Sequence, residues 1–102
     1  MDAAFEVVAP ALRRVARSQG VRLHEFFRDD PVWRLDFSGK GRGEGAVDVA
    51  WEEDRPDEYM VSVLWWEGEK LQRQDVSIFT RERPLEELEA VLRGAIGRLP
   101  AQ

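Results

Sequence analysis

The sequence predicts an α+β fold, a two-layer sandwich in the order α-β-β-β-β-β-α, with both terminal helices packed on one face of an antiparallel meander sheet. Three observations carry this expectation. Apolar residues recur at three- and four-residue steps near the two ends of the chain, the period of an amphipathic helix. Between them lie five segments of alternating or doubly apolar character joined by short connections, and a parallel pairing would need a long crossover. Finally, 102 residues fit one domain spanning 1–102 and can hold a core without covalent staples.

The first helix is expected over 2–19. Phe5, Val8, Leu12 and Val15 form its stripe, widened by Ala4, Val7 and Ala11. Asp2 suits an N-cap and Gly20 a C′ position. Pro10 removes a backbone donor and predicts a kink. Strands are expected at 21–27, 32–38, 46–52, 59–66 and 71–79. Asp29-Asp30-Pro31 is a turn signal after the first. In the second, Trp33, Leu35 and Phe37 alternate with Arg34, Asp36 and Ser38; in the third, Val47, Val49 and Trp51 alternate with Asp48. In the fifth, Val76 and Ile78 are expected on one side and Arg73, Asp75 and Ser77 on the other. A second helix over 84–98 carries Leu85, Leu88, Leu92, Ala95, Ile96 and Leu99, with Pro84 at N1, Glu86 and Glu87 in the first turn, and Gly97 and Pro100 at its end.

The fourth strand is the informative one. Tyr59, Val61, Val63 and Trp65 line one side; Met60, Leu64 and Trp66 line the other, interrupted only by Ser62. One side belongs to the core. The other needs cover, because large apolar patches on soluble chains mark contact surfaces.

Composition narrows the function classes. The net charge is −5, and the fifteen basic residues, only two of them Lys, are spread along the chain, which disfavours phosphate-backbone binding. Without cysteine there are no disulfides or thiolate metal sites. The N-terminal segment lacks a signal-peptide pattern, and no apolar run approaches the ~20 residues of a membrane helix, so a cytoplasmic, unanchored protein is expected.

The run Gly39-Lys40-Gly41-Arg42-Gly43-Glu44-Gly45 has the spacing of a phosphate cradle, but a strand pattern follows it rather than a helix, so a flexible hairpin loop is expected. Glu52-Glu53-Asp54-Arg55-Pro56-Asp57-Glu58 lacks the glycine and alternating ligands of a calcium loop and reads as a solvated connection. His24 is the single histidine, and no nucleophile-elbow pattern surrounds Ser18, Ser38, Ser62 or Ser77. No catalytic residue, metal ligand or cofactor is assigned.

The expected function is therefore a non-enzymatic protein-interaction module, adaptor- or chaperone-like. It would bind a protein partner or a second copy of itself through Met60, Leu64 and Trp66, flanked by Arg34 and Arg73, with no nucleic acid, membrane or metal. The alternative is a small hydrophobic-ligand or peptide pocket between helices and sheet, lined by Trp33, Phe37, Trp51 and Trp65. The layout is similar to that of small acidic secretion-chaperone-like and immunity-type proteins, a similarity of architecture that transfers no residue.

Overall fold

A computed structural model of the chain describes residues 3–26, 31–52, 54–80 and 82–100. The elements follow the expected order: α1 (Ala3–Gln19), β1 (Arg22–Phe26), β2 (Val32–Asp36), β3 (Ala46–Glu52), β4 (Arg55–Glu67), β5 (Lys70–Thr80) and α2 (Leu85–Gly97). The five strands form one open antiparallel sheet in the order β1-β2-β3-β4-β5, so every strand pairs with its neighbours in sequence. Both helices pack on the same side of it.

Helix α1 runs through Pro10, whose ring lies exposed. Val8, Ala11, Leu12 and Val15 on either side are fully buried, and that burial offsets the backbone bond the proline removes. The helix ends as predicted on Gly20, at φ +67°. The Val21 N–H reaches the Ala16 carbonyl at 3.0 Å and the Gly20 N–H the Arg17 carbonyl at 3.3 Å. These two bonds make a Schellman cap, which requires the left-handed conformation glycine adopts freely. The expected cap at Asp2 lies outside the described residues, as do the side chains of Ala4, Phe5 and Val7, and the turn at Asp29-Asp30.

In α2, Leu88, Leu92, Ala95, Ile96 and Leu99 are buried, as their spacing requires. Pro84 stands one residue earlier than expected, at the N-cap in extended conformation (φ −61°, ψ 148°). Arg83 pairs with Glu87 across the helix start at 2.6 Å, where the helix dipole favours the carboxylate. Arg14 of α1 and Glu89 of α2 pair across the helix–helix seam.

The core lies between this helical layer and one sheet face. Trp33, Leu35, Phe37, Val47, Val49, Tyr59, Val61, Val63 and Phe79 supply the sheet side, and all are essentially inaccessible. Two features depart from the sequence reading. Strand β4 begins at Arg55, opposite Glu52 of β3, so most of the acidic segment is strand. In β5 the register shifts opposite Val61/Ser62, and Val76 is the extra residue. That bulge reverses the alternation after it. Val76 packs against the core, while Ile78 stands opposite Met60 on the far face and is 45% exposed.

Candidate functional site

Among the described residues, no helix lies on the second sheet face. Because opposed residues of an antiparallel pair share a face, the register lays it out in rows across the strands. The first row runs Phe26, Val32, Ala50, Met60, Ile78, and the second His24, Arg34, Asp48, Ser62, Asp75. The third is Arg22, Asp36, Ala46, Leu64, Arg73, and at the end of the two longest strands Trp66 stands opposite Leu71.

Most polar side chains of the middle two rows are bonded within the chain. The Arg34 guanidinium donates to both oxygens of Asp48, at 2.8 and 2.9 Å, and Asp48 is only 7% exposed. This two-pronged pairing raises the Arg34 pKa above its usual value, the hydrogen bond to Asp48 being the main cause. Ser62, nearly inaccessible, donates its hydroxyl to Asp75 at 2.8 Å and receives Arg73 at 3.5 Å. His24 Nε2 lies 3.0 Å from Asp36. The Asp36 carboxylate also accepts the backbone N–H and hydroxyl of Ser38, and these bonds, ahead of His24, lower its pKa to about 2.

The apolar rows at either end are not satisfied in this way. Phe26, Trp66, Leu71 and Ile78 are about half exposed (48, 47, 52 and 45%). Phe26 is held by stacking on His24, with ring centroids 6.2 Å apart, and by the Arg34 guanidinium 5.4 Å from its ring centre. Two shallow troughs follow the rows. One, lined in part by Phe26, Arg34, Leu64, Trp66 and Leu71, runs towards the β2–β3 connection; the other, lined in part by Ala50, Met60, Arg73, Asp75 and Ile78, lies towards the β3–β4 turn.

The glycine run is open at Gly39 and Gly41 but packed at Gly43 and Gly45, and that packing fixes the Trp66 end of the face. Gly43 and Gly45 are buried, and the Trp66 N–H donates to the Gly43 carbonyl at 2.9 Å. A Cβ on Gly45 would stand 2.6 Å from the Leu64 carbonyl oxygen and 2.8 Å from a Leu99 methyl, so only glycine fits between β4 and the end of α2.

All five residues expected to bind a partner, Met60, Leu64, Trp66, Arg34 and Arg73, fall on this one face. Phe26, Leu71 and Ile78 belong with them and were not singled out. For Leu71 the signal was its place opposite Trp66 in a short hairpin; for Ile78 the bulge concealed it. The residues of the alternative pocket lie on the other side. Trp33 and Phe37 are in the core, and Trp51 and Trp65 pack against it, partly exposed, their indole N–H groups donating to the Pro56 carbonyl at 3.0 Å and to Glu67 at 3.2 Å.

Ser38, Asp36 and His24 are linked, but the carboxylate stands in the middle, whereas nucleophilic catalysis needs the imidazole between acid and hydroxyl. Among the described residues no group of three or more His, Asp or Glu could hold a metal ion, and no helix is long and apolar enough to cross a membrane. Fold and site together define a two-layer α+β protein with one sheet face left uncovered. Compared with known proteins, the chain matches no family model, no curated protein and no solved structure.

Proposed function

We propose that the chain is a non-enzymatic protein-interaction module, adaptor- or chaperone-like and cytoplasmic, which binds protein through the open sheet face. The observation that carries this reading is the contrast within that face. Its polar groups are already bonded to one another, so covering them leaves few donors or acceptors stranded. Its large apolar side chains, Trp66 above all, stand half in water, and aromatic anchors of this kind dominate protein interfaces.

The double replacement Leu64→Ser with Trp66→Ser tests it. The altered chain should keep a cooperative urea transition while losing complex formation in sedimentation. A chain that no longer folds would place these side chains in the core and defeat the reading.

A further inference from the structure

The open face repeats its own complement. On β5, Arg73 and Asp75 are opposite charges two residues apart; on β2, Arg34 and Asp36 are the same, with the order of signs along the row reversed. Apolar side chains bracket them at both ends: Met60 and Trp66 on β4, Ile78 and Leu71 on β5. Consider a two-fold axis lying in the plane of the face and crossing the strands between the second and third rows. It returns each strand over its own copy, reversed in direction. Arg73 then faces Asp75 of the other molecule and Arg34 faces Asp36, each pair made twice. Met60 meets Trp66, and Ile78 meets Leu71, again each twice. Strand β1, with Arg22 and His24 at the rim, departs from the pattern.

Charge and size agree with such an arrangement. The rows carry three Arg and three Asp, a balanced set in an acidic chain, which suits neither a polyanion nor a strongly charged protein. Five strands at about 4.8 Å spacing, and a β4 run from Glu58 to Trp66 at about 3.3 Å per residue, give on the order of 600 Å² in projection, before side-chain relief is counted. That is near the ~800 Å² per partner of a standard interface. Sheets packed face to face in this way, strands nearly aligned, are a common solution for two half-apolar surfaces.

We infer that the occupant of the open face is a second copy of this chain, docked sheet on sheet about that two-fold axis, with reciprocal Arg73–Asp75 contacts and reciprocal Met60–Trp66 and Ile78–Leu71 packing. This rests on the contact-surface reading above and specifies its partner. The structure leaves the side chains of Arg73 and Asp75 60% and 59% exposed, so both can be exchanged without disturbing the apolar core, with loss of their own 3.5 Å pairing and, in the Asp75 variant, of the Ser62 bond.

Two measurements on the whole chain test it. In sedimentation across a concentration series the parent chain should reach the mass of two copies. Arg73→Asp alone and Asp75→Arg alone each place like charges together and should weaken association by about tenfold or more. Mixed in equal amounts, these two variants should restore it, because each now supplies what the other lacks. Pairing of two β5 edges would show the same charge rescue, so geometry decides between them. The chain contains no cysteine. A Met60→Cys chain mixed with a Trp66→Cys chain should be joined by a bifunctional thiol reagent of about 5 Å span if the faces meet, because sheets packed face to face lie ~10 Å apart, too far for a direct disulfide. If β5 edges pair, the two positions are about three strand spacings of ~4.8 Å apart and the reagent joins nothing, which would overturn the inference. A chain that stays single at every concentration also overturns it. If a photo-reactive residue at Leu71 of that single chain then captures a different protein, the contact-surface reading stands without the second copy; if it captures nothing, both fall.

Discussion

The two faces of the sheet are built from the same strands, residue by residue, and yet solve opposite problems. On the helix side, Trp33, Leu35, Val49, Tyr59 and Val61 are fully buried among aliphatic neighbours. On the open side the same strands carry Arg34, Asp48, Ser62 and Met60, with polar groups bonded in pairs and apolar groups gathered at the two ends. The first face holds the fold together through apolar burial. The second is held by paired polar groups and leaves Phe26, Trp66, Leu71 and Ile78 about half exposed. An ordinary solvated sheet face would have carried polar residues at positions 66, 71 and 78.

Substitutions can break this contrast, and the largest effect is expected on the helix side. Trp33→Ala removes a fully buried indole and should cost about 3–5 kcal/mol of stability in urea denaturation. Trp66→Ser, of the same residue type on the same sheet, should stay within about 1 kcal/mol of the parent. Equal losses at the two positions would erase the distinction. Gly45→Ala forces a methyl to within 2.6 Å of a backbone carbonyl and should cost about 2 kcal/mol. It should also disturb the Trp66 end of the open face, visible as a changed indole fluorescence. Asp48→Ala leaves Arg34 without its two-pronged acceptor on a surface otherwise satisfied, and a loss of about 1–2 kcal/mol in thermal or urea unfolding is expected.

The smallest effect is electrostatic. Asp36 is held near pH 2 in the folded chain against 3.8 unperturbed, so its bonds to Ser38 and His24 favour the folded state at every pH above 3.8. That contribution is lost as pH falls from there through about 2, because the unfolded chain binds the proton first. Asp36→Asn should therefore lower the neutral plateau slightly and flatten the acid limb between those values, the two profiles meeting below about pH 2. The carboxylate is partly exposed and its partners are near the surface, so the difference is small.

Much of the fold was legible because period and punctuation agreed. The Trp33-Leu35-Phe37 alternation, the glycine after α1 and the leucine spacing of α2 each reported one local rule that tertiary packing did not override. The open face was legible in part. Met60, Leu64 and Trp66 declared themselves because one regular strand was apolar on both sides. Ile78 did not, since one extra residue at Val76 turns everything after it over, and a bulge leaves no pattern in a single strand read alone. The early start of β4 was hidden by the acidic character of residues 52–58, which reads as solvated chain whether extended or not. The packed glycines were hidden as well. Their need for space is set by Leu64 and Leu99, distant in sequence.

The claim that the open face is made to be covered by protein is tested most directly by placing a photo-reactive residue at Leu71, and the same residue at exposed Arg93 on α2 as its counterpart. The account predicts a discrete protein adduct from position 71 upon illumination and none from position 93. No adduct at position 71, or equal capture at both, would contradict it.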